Sequence, residues 1–385
     1  MKYKKNQKNS NQVIMLKITD VKMHVFEHET PGYVTSFSRE STVPFDFSLS
    51  PIAPFKYSLI RVLTDEDIEG DYIVWSEIPT ARPGSLAEVL RAFKPHLIGE
   101  DPLNREKIWH KLGDFWYGQK GSAFAAVDIA LWDIAGKVAN LPIYKLLGAY
   151  RDRIRAYASG SIPSGKVEDI VRTAAELKKK GYTAMKIHPI PIEACEALRE
   201  EVGDEVDLIY DAVFKFSREE ALKVGRELER LNFYWYEAPL PAYDIEGYIK
   251  LSRKLDIPIN VELLHHAVFV EYIVREAVDS LRTMCGFSGG ITEMRKVASL
   301  CESFGLNWEP HTFGGTLYQA ANLHAILAVK NCTFFESPIP EGCFDVGTKD
   351  VIRIDKEGYV HAPKKPGLGL EIDWAQVDKG AEVVI

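Results

Sequence analysis

Six polar residues, each closing a short apolar run, recur along this chain at the interval of one strand–helix unit. They are Lys186, Asp211, Glu237, Glu262, His311 and Glu336. The steps between them are 25, 26 and 25 residues, then 49, which is two units, then 25. A strand, a helix and two loops take about 25 residues, so the rhythm places functional groups at one end of successive parallel strands. That end is where a (β/α) barrel keeps its active site.

The length of 385 residues fits such a barrel with a smaller domain. Strand patterns over Leu16–Glu27, Tyr57–Leu63 and Tyr72–Trp75, followed by helical patterns over Leu86–Ala92, Asn104–Leu112 and Ser122–Ala139, predict an α+β domain at 16–145. The stretch His28–Lys56, rich in Ser, Thr, Pro and Phe, reads as an irregular functional loop. Barrel strands are expected at Arg155–Ser159, Ala184–His188, Asp207–Asp211, Phe233–Glu237, Ile257–Glu262, Ser280–Met284, Leu306–His311 and Thr333–Glu336, giving an α/β barrel at 146–345. Residues 346–385 should pack back on the first domain. Residues 1–15, polar and with Lys2, Lys4, Lys5 and Lys8, read as a disordered tail or an overlong start ahead of Met15.

A net charge of −8 with no basic face argues against a nucleic-acid partner, and no apolar stretch is long enough for a membrane helix. Five cysteines without a C-x-x-C pair suggest reduced thiols in a cytoplasmic protein.

Asp211, Glu237 and Glu262 close three consecutive strand candidates, DLIYD, FYWYE and PINVE. Neighbouring parallel strands lie about 4.8 Å apart, so three acids there would repel unless a hard cation such as Mg²⁺ joined them. Any one of them alone would read as a solvated loop acid. Lys186 and His188, at i and i+2, point to the same side of their strand. Beside a metal and each other, both should have depressed pKa values suited to a base. His311 would stand across the barrel mouth, and Glu336 could donate a proton if its pKa were raised. Two signals are discounted. Adjacent His265 and His266 point apart, and Gly289-Gly290, Gly314-Gly315 and Gly367-x-Gly369 spell no nucleotide fingerprint, reading instead as tight turns.

Taken with SAFAAVDIALWDIAGKVANLPIYKLLG (122–148), GYTAMKIH (181–188), GGIT (289–292), Pro310-His311 and PGLGLEID (366–373), these residues resemble the enolase superfamily, in its mandelate racemase-like branch. The resemblance implies a modified (β/α)7β barrel under an N-terminal α+β cap completed by the C-terminal segment, and a homo-oligomer. It implies one Mg²⁺ on Asp211, Glu237 and Glu262, with acid–base roles for Lys186, His188, His311 and Glu336. The superfamily is a known case of Lys or His bases working with Mg²⁺.

Three positions depart from the pattern. Lys-x-Lys is here Lys186-Ile187-His188, Val213 follows the first ligand where a polar residue is usual, and Met284 stands where the seventh-strand histidine usually finds an aspartate. The expected reaction is abstraction of the proton beside the carboxylate of a small acid through an enediolate, most simply dehydration of a sugar acid to a 2-keto-3-deoxy acid. A racemase or epimerase is the alternative, and a barrel reduced to a binding protein by the Met284 change is a third reading.

Overall fold

The computed structural model describes residues 16–33, 49–75, 82–115, 121–160, 166–263, 266–378 and 382–385. Strands β1 (Ile18–Tyr33), β2 (Leu49–Thr64) and β3 (Glu69–Trp75) form an antiparallel sheet. On it, Val21 and Met23 are buried while Lys22 and His24, each next in sequence, are partly exposed, the period of two that a half-covered sheet requires.

This hairpin corrects the loop expected over His28–Lys56. Backbone pairing continues from His28↔Phe55 to Tyr33↔Leu49, leaving only 34–48 outside the described residues. The prolines that suggested a loop are tolerated for a physical reason. Pro31 sits within a register shift between Thr30 and Gly32, and among the described residues Pro51 and Pro54 lie beyond the β2–β3 pairing, which ends at Tyr57↔Trp75.

The helix Ser122–Ala139 is buried from Ser122 through Gly136, as its unbroken apolar run demands. It links the two sheets. The Asp133 carboxylate accepts the Asp71 N–H of β3 at 3.1 Å, and Asp128 accepts both the N–H and the hydroxyl of Thr292 on the barrel helix Gly290–Ser303.

Strands β4 (Arg153–Gly160), β5 (Ala184–Ile187), β6 (Asp207–Asp211), β7 (Trp235–Glu237), β8 (Ile259–Glu262), β9 (Ser280–Arg282), β10 (Asn307–Trp308) and β11 (Phe334–Ile339) run parallel in the order β10-β9-β8-β7-β6-β5-β4-β11. Each strand from β4 to β10 is followed by a helix, and the sheet curls so that its two end strands are consecutive in sequence. Across that seam the Trp308 N–H donates to the Asn331 carbonyl at 2.7 Å, and the Thr312 N–H to the Glu336 carboxylate at 2.9 Å.

The C-terminal segment attaches to the cap, as expected, and also to the barrel. Strand β12 (Tyr359–His361) adds antiparallel to β4 of the barrel, while β13 (Glu382–Val383) adds to β1 of the cap. The five cysteines are buried, and none is in a disulfide. Among the described residues no helix is long and apolar enough to cross a membrane.

Candidate active site

The floor of the site is apolar. Tyr157, Ala184, Ile209, Trp235 and Phe334 form a separate cluster inside the barrel. Two residues further along four of these strands come Lys186, Asp211, Glu237 and Glu336, the next inward-facing layer. Strand alternation thus converts four apolar positions into a ring of charge resting on a dry plug.

Lys186 is the hub. Its Nζ lies 2.7 Å from Glu336 Oε1, 3.2 Å from Asp211 Oδ2 and 3.3 Å from Glu237 Oε1. Burial alone would push its ammonium down, but Glu237, Glu336, Tyr157 and Asp211 outweigh burial and hold it well above the usual lysine range. The depressed lysine expected from the sequence is therefore corrected. Glu336 is corrected too. Despite complete burial, Lys186 and Arg282 keep its carboxyl well below the usual range, the opposite of the raised value that proton donation needs.

His188 does share the inward side of its strand with Lys186, its Nε2 3.6 Å from Asp211 Oδ2. Burial and the Lys186 charge push it down to about 3, so the ring is neutral but more weakly basic than a free imidazole.

Arg282 is the residue that the strand-end pattern missed. Fully buried at the end of β9, it donates to Glu336 at 2.8 Å and to the Tyr157 hydroxyl at 2.9 Å. Its Nε lies 3.1 Å from Glu237 and 3.8 Å from Glu262. Its signal was present: it stands two residues before Met284, on the same inward face. Burial pushes the Glu262 carboxyl up to about 7, only partly opposed by Arg282, and burial likewise raises Glu237.

Asp211, Glu237 and Glu262 thus end adjacent strands, and Lys186 and Arg282 lie between them. As they stand, no three acid, imidazole or thiol groups among the described residues form a set that could hold a metal ion. The donor chemistry nevertheless suits one. Asp211, Glu237, Glu262 and Glu336 face two cations, so the fully ionised cluster carries two uncompensated negative charges on hard oxygen donors.

His311 follows β10. Its backbone N–H donates to the Thr283 carbonyl at 2.9 Å, and it bridges Met284 in parallel fashion. Methionine offers its ring nothing. Instead Nδ1 lies 3.0 Å from the hydroxyl of Tyr318, on the helix Thr316–Ala328, and that hydroxyl also donates to the His311 carbonyl at 2.7 Å. Burial pushes the imidazole down to about 4. No single-chain pattern would have pointed to Tyr318, because the Phe313–Gly315 turn decides which face of the helix meets the histidine.

Val213 sits at a φ of 46° with its N–H donated to Asp211 Oδ1 at 2.9 Å, so it orients that acid through its backbone. His266 bonds Glu293, and His265 lies outside the described residues. Gly289, at a φ of 101°, caps the helix Gly290–Ser303, the tight turn expected there.

Known proteins agree with this architecture. Residues 169–376 match the Enolase C-terminal domain-like family, and residues 32–148 the mandelate racemase / muconate lactonizing enzyme N-terminal domain. Arabinonate dehydratase of Saccharolobus solfataricus is 34% identical over 73% of this chain and 79% of its own. D-galactarolactone cycloisomerase of Agrobacterium fabrum is 30% identical over 93% of this chain and 97% of its own. The solved structure of D-glucarate dehydratase from Agrobacterium tumefaciens, complexed with magnesium, shares 33% identity and superposes with a TM-score of 0.83, covering 95% of this chain and 99% of that one. The chain is an enzyme of the mandelate racemase/muconate lactonizing enzyme family, within the enolase superfamily.

Proposed function

We propose that this chain dehydrates a sugar acid to a 2-keto-3-deoxy acid, beginning with removal of the proton beside the carboxylate. The observation that carries the reading is Lys186, ringed within 3.3 Å by Asp211, Glu237 and Glu336 at the strand ends, with a neutral His311 on a different side of the mouth. Relatives named as dehydratases of arabinonate and of L-talarate/galactarate support the substrate class.

Asp211, Glu237 and Glu262 would hold one Mg²⁺, which when bound supplies positive charge for the substrate carboxylate and for the charge that grows as the proton leaves. The protein's own groups divide the remaining work. Lys186 stays protonated and adds a fixed positive charge where negative charge develops. Glu336 holds Lys186 and Arg282 in place. His311 takes a proton at Nε2 and returns it to the departing hydroxyl, a role worth on the order of 10² to 10⁴-fold. His188 offers a second neutral imidazole on the Lys186 side.

That pair of imidazoles also favours a second reading. Two proton carriers on different flanks suit an isomerase, and the relative matching the larger part of the chain is a cycloisomerase. Screening sugar mono- and diacids with Mg²⁺ for 2-keto acid formation tests the first reading. Exchange of the α-proton with deuterated solvent, without loss of water, would replace it with the second.

A further inference from the structure

The hydroxyl of Tyr318 serves two neighbours with one proton. It lies 2.7 Å from the His311 carbonyl and 3.0 Å from His311 Nδ1. A phenol has a single O–H donor and can accept through its lone pairs. In one arrangement the O–H goes to the carbonyl and the oxygen accepts an Nδ1–H, making two hydrogen bonds in a chain. In the other, the O–H turns to a bare Nδ1 and the carbonyl loses its donor, leaving one bond. Buried polar groups favour the arrangement that satisfies both, and chained bonds reinforce each other.

The ring has little freedom to choose otherwise. A Cβ on Gly314 would lie 2.8 Å from one edge of the Tyr318 ring, and a Cβ on Gly286 3.1 Å from another. The absence of both side chains creates the slot that aims the hydroxyl. Gly286 belongs to the loop after β9, so the segment that lacks an aspartate at Met284 also makes room for the tyrosine.

We propose that Tyr318 is a positioning residue that fixes His311 as its Nδ1–H tautomer and leaves the Nε2 lone pair as the proton acceptor of the site. Nε2 has no hydrogen-bond partner among the described residues. A phenol differs from the carboxylate it replaces. It orients the ring but brings no negative charge to stabilise an imidazolium. Burial also pushes the Tyr318 hydroxyl well above the usual tyrosine range, so it remains a neutral partner.

The use made of His311 rests on the proposed reaction, whereas the tautomer itself needs no substrate. Nitrogen NMR of the full chain, ¹⁵N-labelled at histidine and measured with and without Mg²⁺, reads it directly. The His311 signals are identified by their absence in His311→Asn. The expected spectrum shows a protonated Nδ1 and a bare Nε2. Tyr318→Phe should shift the population toward Nε2–H and lower kcat by about 10- to 100-fold with KM little changed, the range for losing an imidazole's orienting partner. A wild-type His311 protonated on Nε2, or a Tyr318→Phe spectrum identical to wild type, overturns the proposal. Should Tyr318→Phe fail to fold, the wild-type spectrum decides. Should no sugar acid turn over, the proposed reaction falls while the spectrum still reports which nitrogen holds the proton.

Discussion

Lys186 Nζ and Glu336 Oε1 stand 2.7 Å apart on strands β5 and β11, reaching past the intervening β4 inside the barrel. Side-chain exposure is 4% for Lys186 and nil for Glu336, so water screens the pair little. Such a pair fixes charge in place more than it adds stability, since desolvation offsets most of the attraction.

Glu336→Gln should therefore be costly. It weakens the charge-assisted bonds that Lys186, Arg282 and the Thr312 N–H make to one buried carboxylate, a loss of about 1.5–3 kcal/mol. Urea denaturation should show the midpoint falling at unchanged slope, and turnover should vanish. A variant as stable as wild type would show that the two cations find other partners.

Arg282→Gln should raise the demand for a divalent ion. With that cation gone, the four acids keep only Lys186, and the uncompensated negative charge grows by one. Thermal unfolding with and without Mg²⁺ should give a larger metal-induced shift than in wild type, corresponding to about tenfold tighter binding or more. Equal shifts in the two proteins would mean that Arg282 does not act on the acids electrostatically.

Acid should loosen the C-terminal segment through His324. Its Nδ1 accepts the Tyr144 N–H at 3.2 Å and its Nε2 donates to the Leu368 carbonyl at 3.0 Å, a tautomer with no room for a second proton. Burial pushes it from 6.5 down to about 4. The folded state thus resists a proton that the unfolded state accepts. The stabilisation is complete above pH 6.5 and is lost as pH falls from there to about 4, a loss of about 3 kcal/mol at most. Urea denaturation across that range should show a shallower decline for His324→Gln than for wild type. Identical slopes would remove His324 from the account.

Gly290→Ala should break the latch between cap and barrel. Gly290 has a φ of 80°, and an added Cβ would lie 2.3 Å from Asp128 Oδ2. Backbone strain of about 1–3 kcal/mol combines with displacement of the carboxylate that holds Thr292. Thermal unfolding should drop by several degrees, whereas Gly305→Ala, also at positive φ but with open space around it, should show the backbone cost alone.

Much of this could be read from residues alone. DLIYD marked β6 to the residue, because an apolar run closed by an acid after a charged helix has few other readings. The helix Ser122–Ala139 was equally plain, since a chain apolar around its whole circumference can only be buried. What spacing could not supply was the sign of the electrostatics. From the residues alone, Lys186 has a depressed pKa and Glu336 donates a proton only if its own is raised, whereas separations near 3 Å shift both the other way. Arg282 ends β9 two residues before Met284, where the apolar pattern carries the strand on, so its place at the strand end is not visible in the sequence. Tyr318 depends on how a three-residue turn sets a helix, which local sequence does not encode.

The pairing of β13 with β1, His24 opposite Val383 and Val25 opposite Glu382, ties the first strand to one that follows the entire barrel in sequence. During synthesis the first sheet therefore emerges early and waits with one edge bare until β13 leaves the ribosome. The cap is begun first and finished late, so its sheet gains β13 only after every barrel strand has been made.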